Sequence, residues 1–172
     1  MDSDQIARQV TGPGGAAIAA IAQRFGPEFV DDTGALDRGR MRDLAYSTPD
    51  ARTALEAIVH PLVSLHSSQQ AQAAEDAGTR VIVFDVPLLV ESGRWVQRLD
   101  TVIVIDCPPA LQIQRVMSRS GLNRSTVEAI LAAQSPRNIR RASADIVVHN
   151  GDNCTLADLH KMAEQVATRL GL

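Results

Sequence analysis

Lysine is nearly missing from this sequence: of 17 basic residues only Lys161 is a lysine, and the other 16 are arginines. The phosphate-cradling motif G-x-x-x-x-G-K-S/T, which needs a lysine after its glycines, occurs nowhere in the 172 residues. Aromatic residues make up 3%, so a core must be built from Ala, Val, Leu and Ile. Two cysteines, Cys107 and Cys154, make no disulfide framework and have no metal-ligand spacing, which fits small packed residues in a reducing cytoplasm. His66, His149 and His160 have no companion ligands in the sequence, so no metal site is expected. Long apolar runs are also lacking. The longest, Val81–Val90, is broken by Asp85 and Pro87 and is too short for a membrane span. The opening MDSDQIARQV has neither the basic start nor the apolar stretch of a secretory signal. With a net charge of −3 there is no global basic excess, and nucleic acid is not an expected partner. What remains is ordinary for a soluble domain with one core: 45% hydrophobic and 22% charged residues, without repeats or linkers.

The charges that are present are unevenly placed. Residues 115–141 hold six arginines (Arg115, Arg119, Arg124, Arg137, Arg140, Arg141) and one acid, Glu128, a net of +5, while the rest of the chain carries −8. An arginine-dense segment on an acidic body fits an anionic ligand, since the planar guanidinium binds two phosphate oxygens at once. A solvated helical face has the same composition.

Three β-branched runs read as strands buried on both sides: TRVIVFDV over Thr79–Val86, TVIVID over Thr101–Asp106, and ADIVVH over Ala144–His149. Helices are expected at Pro13–Phe25, Asp37–Tyr46, Pro49–Val59, Pro61–Ala77 with Gly78 as its cap, Ala110–Arg119, Arg124–Ala133 with Ser125 as a candidate cap, Pro136–Ala142 and Thr155–Leu170. Strands alternating with helices predict an α/β domain with a mainly parallel sheet. The helical stretch before residue 79 reads as a substrate-binding insertion.

Several residues invite a chemical reading. Asp2 and Asp4 alternate as at the end of a strand, where open α/β sheets bind ligands, although acids near a chain terminus are also commonly just solvated. Asp85 closes a buried strand, a position that can orient magnesium or its water, or equally cap a turn. Arg115 and Arg119 share a helix face at i, i+4. Gln134, Arg137 and Arg140 or Arg141 repeat at helical spacing, and a phosphoryl-transfer site needs such cations. His60, ahead of Pro61, is by itself more often structural.

Taken in order, these segments resemble the dephospho-coenzyme A kinase family of P-loop kinases. Asp2-Ser3-Asp4-Gln5-Ile6-Ala7-Arg8 resembles its DADxIAR segment, and Val59-His60-Pro61-Leu62 its HP motif. Asp85-Val86-Pro87-Leu88-Leu89-Val90-Glu91 resembles D-x-P-L-L-x-E, and Arg115 to Arg119 with Asn123-Arg124 resembles the lid. Gln134 through Asp145, followed by Asn150-Gly151, resembles Q-x-x-R-x-x-R-x-x-x-A-D and its sequel. The resemblance implies transfer of a phosphoryl group from ATP, with Mg2+, to the ribose 3′-hydroxyl of dephospho-CoA, giving CoA and ADP in the cytoplasm. It implies Asp4 as the base. Asp2, His60, Asp85, Leu88 and Glu91 would bind the acceptor, and Arg115, Arg119, Arg137 and Arg140 would bind ATP. The expected fold is one kinase-like domain over residues 1–172, α/β with a three-layer parallel sheet. Residues 11–77 would form the helical acceptor-binding region and 79–106 core strands. Residues 110–142 would form the lid and ATP-side arginines, and 144–172 a core strand and the last helix. The alternatives are a non-catalytic remnant that binds nucleotide or CoA, and a different nucleotide kinase, against which the HP and P-L-L-x-E motifs argue.

The resemblance also implies that the family's opening strand, phosphate loop and first helix, about thirty residues or one β-α unit, have no counterpart here, through a misassigned start or a shortened gene. Phosphoryl transfer depends on positioned charge, and loosely held arginines are poor substitutes for a nest of amides and a lysine. The expected outcome is that the 172-residue chain alone makes no ADP from ATP and dephospho-CoA and melts without a sharp transition. A cooperative melt accompanied by turnover would contradict it.

Overall fold

The structure is a computed structural model and describes residues 1–93 and 98–172. It resolves into two compact units, Met1–Pro87 and Leu88–Leu172.

The first unit is helical: α1 (Ser3–Val10), α2 (Ile18–Phe25), a 3-10 turn (Pro27–Phe29), α3 (Arg38–Ser47) and α4 (Pro49–Asp76). Asp2 starts α1 by accepting the Gln5 N–H at 3.0 Å, an N-cap that engages one of the free donors at the helix start. Ile6 and Val10 then fall on one face and are buried with Ala17, Ile21, Phe29, Leu36 and Met41. Helix α2 begins five residues later than the expected Pro13, because Gly14 takes a φ of +68° that no helix accepts. Gly15 closes this turn. A Cβ there would stand 2.3 Å from the Val10 carbonyl oxygen, so the chain can fold back on α1 only with glycine.

Two expectations change in this unit. The separate helices Pro49–Val59 and Pro61–Ala77 are one 28-residue helix that runs through Pro61. Proline forfeits the helical bond to the Ala57 carbonyl. Leu55, Ile58, Val59, Leu62 and Val63 all pack on the core, and that burial on both sides of the proline holds the helix together. The run Thr79–Val86 has no ladder. Among the described residues it takes part in a parallel bridge between Asp2 and Asp85, made by Asp85 N–H to Met1 O (2.7 Å) and Ser3 N–H to Asp85 O (3.1 Å). A β-branched run becomes a strand only alongside a partner, and Met1–Ser3 reaches just its last residues.

The second unit holds α5 (Leu89–Ser92), β1 (Ile103–Asp106), α6 (Pro109–Ser120), α7 (Arg124–Ala132), α8 (Arg137–Ala142), β2 (Ile146–His149) and α9 (Leu156–Arg169). As expected, β1 and β2 pair in parallel, from Ile103 opposite Ile146 to Asp106 opposite His149. The pairing is extended at its start by Asp145, whose carboxylate accepts the Val102 N–H at 2.8 Å while its own N–H reaches the Val102 carbonyl. Asn123, rather than Ser125, caps α7 by accepting the Thr126 N–H, and Ser125 turns its hydroxyl to the Asn123 side chain. Thr155 and Asp158 form a reciprocal capping box at α9. Val102, Leu111, Ile113, Val127 and Val148 are the buried apolar residues here. Of the expected 79–106 stretch, residues 94–97 lie outside the described residues.

Ile21 is fully buried in the first unit. In a version joined to the opening β-α unit that the resemblance implies, Ile21→Ala is expected to destabilise that unit by about 2–5 kcal/mol, measured by denaturant unfolding with circular dichroism. A loss below about 0.5 kcal/mol, the scale of a surface change, would contradict this packing.

Candidate functional site

In the first unit, helical periodicity gathers Asp4, Ala7, Arg8 and Thr11 at i, i+3, i+4 and i+7 on one face of α1. That face lines a cleft of about 390 Å³ whose other wall, on α4, carries Glu56 and His60, with Arg38 at the start of α3. The structure therefore brings Asp4 and His60, 56 residues apart in sequence, to one cavity. Arg38 is tied to its edge by a hydrogen bond from its guanidinium to Thr11 Oγ1 at 3.0 Å, and Thr11 in turn donates to the Ala7 carbonyl at 2.7 Å. Around this one opening the guanidiniums of Arg8 and Arg38 stand with the carboxylates of Asp4 and Glu56 and the His60 ring, so a ligand is offered donors for its oxygens and acceptors for its hydroxyls.

Asp2 is the N-cap of α1 and bridges Asp85 through the backbone, so the two acids stand side by side at the same end of the unit. Ser3 adds a hydroxyl bond to the Asp85 carbonyl. Among the described residues no group of three or more His, Cys, Asp or Glu is placed to hold a metal ion.

In the second unit the expected ATP-side arginines meet the carboxyl ends of the two strands, the place where open parallel sheets bind ligands. Arg137 grips Asp106 with both arms of its fork, Nε to Oδ1 and Nη2 to Oδ2, each at 2.7 Å. His149, opposite Asp106 in the ladder, brings Nδ1 to 3.4 Å from the same carboxylate, and Arg141 Nε lies at 4.0 Å. Asp106 is 5% exposed. The hydrogen bonds from Arg137, with smaller help from His149 and the nearby guanidinium charges, outweigh its burial and bring its carboxyl from the ordinary 3.8 to about 2. Arg115 caps the turn after β2, donating to the Asn150 carbonyl (3.1 Å), Asn150 Oδ1 (2.9 Å) and the Gly151 carbonyl (3.2 Å). Gly151 is buried beneath the His149 ring, and a Cβ there would stand 2.6 Å from Nε2.

The remaining expected residues are less engaged. Arg119 is exposed on α6, one turn beyond Arg115, with no polar partner among the described residues. Arg140 buries its Nε without an acceptor among the described residues, an unmet donor that a ligand oxygen would satisfy. Glu91, on α5, accepts the Ser135 N–H at 2.7 Å just ahead of α8, and Leu88 stands half exposed before α5.

Arg8, Arg38, Asp106 and His149 are the residues that sequence reasoning passed over. Arg8 belongs to the segment that resembles DADxIAR, but alternation across Asp2–Asp4 reads as a strand end and conceals the helical spacing that pairs it with Asp4. Asp106 and His149 each end a recognised strand, and only the register places them together.

A family model described as dephospho-CoA kinase matches residues 1–155. The dephospho-CoA kinase of Albidiferax ferrireducens is 50% identical over 172 residues, covering 100% of this chain and 81% of that protein. That of Bordetella pertussis is 51% identical over 158 residues, 92% of this chain and 72% of that protein. Among solved structures, TT1252 from Thermus thermophilus matches with a TM-score of 0.74 at 31% identity, over 99% of this chain and 83% of the other. The dephospho-CoA kinase of Campylobacter jejuni, at 22% identity and a TM-score of 0.71, shares the fold. The chain belongs to the dephospho-CoA kinase family.

The depressed carboxyl of Asp106 ties stability to pH. Because its folded pKa lies below the unfolded one, its contribution is complete above about pH 4 and is lost as pH falls through about 2. In the version joined to the opening β-α unit, Asp106→Asn is therefore expected to flatten the loss of stability between pH 4 and 2, followed by chemical unfolding at each pH. An acid limb identical to that of the parent chain would contradict the assignment.

Proposed function

We propose that the chain carries the acceptor-binding and arginine-bearing parts of an enzyme for the last step of coenzyme A biosynthesis, one that moves the γ-phosphoryl group of ATP to the ribose 3′-hydroxyl of dephospho-CoA. The observation that carries the reading is the cleft in which Asp4, Arg8, Arg38 and His60 meet, in a chain of this family. The acceptor brings a pyrophosphate and a ribose hydroxyl. Arg8 and Arg38 suit the first, and Asp4 and His60 suit the second. On this reading residues 11–77 are the helical acceptor-binding region.

Asp4 takes the proton of the 3′-hydroxyl as its oxygen bonds to the γ-phosphorus. The bond from that phosphorus to the β–γ bridging oxygen breaks, and ADP leaves with the electron pair. A base placed in this way contributes on the order of 10²–10⁴-fold. His60 orients the ribose. Arg115, Arg119, Arg137 and Arg140 take the ATP side, where charge on the transferring oxygens must be balanced. Magnesium ordinarily uses one or two protein carboxylates and completes its shell with phosphates and water. The adjacent Asp85 and Asp2 fit that pattern, and Glu91 supports the segment leading to α8. When bound there, the ion would supply neutralisation of charge on the phosphates. The free thiols Cys107 and Cys154 fit a cytoplasmic setting, and no helix among the described residues is long and apolar enough to cross a membrane.

Calorimetric titration with dephospho-CoA tests the acceptor assignment on the 172-residue chain itself. Binding is expected, with Arg8→Ala weakening it by about 1.5–3 kcal/mol, the value of a charge-assisted contact. Asp4→Asn should leave affinity nearly unchanged. In a version joined to the opening β-α unit that the resemblance implies, the same change should cut turnover about 10²–10⁴-fold. Absence of dephospho-CoA binding, or equal binding by Arg8→Ala, would overturn the assignment. Collapse of affinity in Asp4→Asn with single-turnover chemistry intact would make Asp4 a binding residue.

A further inference from the structure

We infer that Asp106 is a positioning residue for the nucleotide side of the reaction: it clamps the Arg137 fork and thereby sets where α8 presents Arg140 to the phosphates. The inference rests on the assignment of the second unit's arginines to ATP.

Helix α8 has six residues, Arg137–Ala142, too few to be stable by local bonding alone. Its place must come from outside, and the structure shows two anchors at its start. Glu91 accepts the Ser135 N–H just before the helix, and Asp106 holds the side chain of its first residue. Asp106 is the stronger anchor. Its side chain is 4% exposed, so its charge needs a committed partner, and Arg137 satisfies both of its oxygens at once. The carboxylate is itself fixed, because it ends β1 and is held in register with His149 on β2. Arg137 is thus largely spent on the protein. Arg140, three residues on, is the arginine of this helix whose Nε lacks an acceptor among the described residues.

This differs from a reading in which Arg137 itself grips ATP, and the two make opposite predictions. If Asp106 merely competed with phosphate for Arg137, neutralising it would free a cation and tighten ATP binding. If Asp106 positions α8, neutralising it loosens the helix and weakens binding. Lysine at 137 would keep the charge and lose the fork, so it should behave like the loss of Asp106.

The test titrates ATP with Mg2+, and separately dephospho-CoA, into the 172-residue chain and into Asp106→Asn, Arg137→Lys and the double variant. Expected is a roughly 10- to 100-fold weaker affinity for ATP in each single variant, the scale of removing a supporting partner behind a binding group. The double variant should be no worse than either single one, because the pair acts as a unit. Affinity for dephospho-CoA should be unchanged throughout, which a general loss of folding would not allow. Should Asp106→Asn fail to fold, Arg137→Lys, altered at a partly exposed side chain, decides the matter. Unchanged or tighter ATP binding, additive losses in the double variant, or equal loss of both ligands would overturn the inference. A parent chain that binds dephospho-CoA but not ATP would instead overturn the nucleotide assignment beneath it, and one that binds neither would overturn the proposed function.

Discussion

The parallel register of β1 and β2 is the constraint on which the second unit depends. Four residue pairs set it, and Asp145 seals its start by lending a carboxylate where a backbone acceptor would otherwise be needed. A slip of one residue would turn every side chain to the opposite face and separate Asp106 from His149. With the register in place, Arg137 finds Asp106 at the end of β1 and Arg115 finds the turn that follows β2, at the same end of the two strands. The chemistry of the unit is thus a by-product of how two short apolar runs pair.

The first unit reaches a comparable result by helical geometry. One face of α1 carries Ile6 and Val10 into the core, and another turns Asp4 and Arg8 to the cleft. Burial of the apolar face fixes the rotation of the helix, so the carboxylate and the guanidinium are aimed at the cleft by residues outside its lining. The aspartate before the helix has a double duty. Its side chain caps α1 and its backbone meets Asp85, joining the start of the cleft-lining helix to the segment after α4.

Much of this could be read from the sequence where side-chain type alone carries the signal. The β-branched runs at 101–106 and 144–149, the arginine cluster and the order of the motifs all belong to that kind. What stayed hidden depends on pairing across distance. Thr79–Val86 has strand composition, yet among the described residues its named pairing is the bridge from Asp85 to Asp2. Asp2–Asp4 reads as a strand end, because alternation over three residues cannot be told from the first turn of a capped helix. Pro61 reads as a boundary, since propensity counts the lost hydrogen bond and not the five apolar neighbours that hold the helix through it. The Asp106–Arg137 pair, 31 residues apart, leaves no local trace at all.

The proline within α4 carries one more implication. A regular helix shows a ligand only its side chains, because every interior peptide group is already spoken for. Pro61 suspends that rule at one place: the carbonyl of Ala57 loses its ordinary donor, one turn before His60 on the helix that walls the cleft. Main-chain oxygens do not titrate and cannot be removed by changing a side chain. Replacing Pro61 with a residue that carries an N–H would return that donor and make the helix regular.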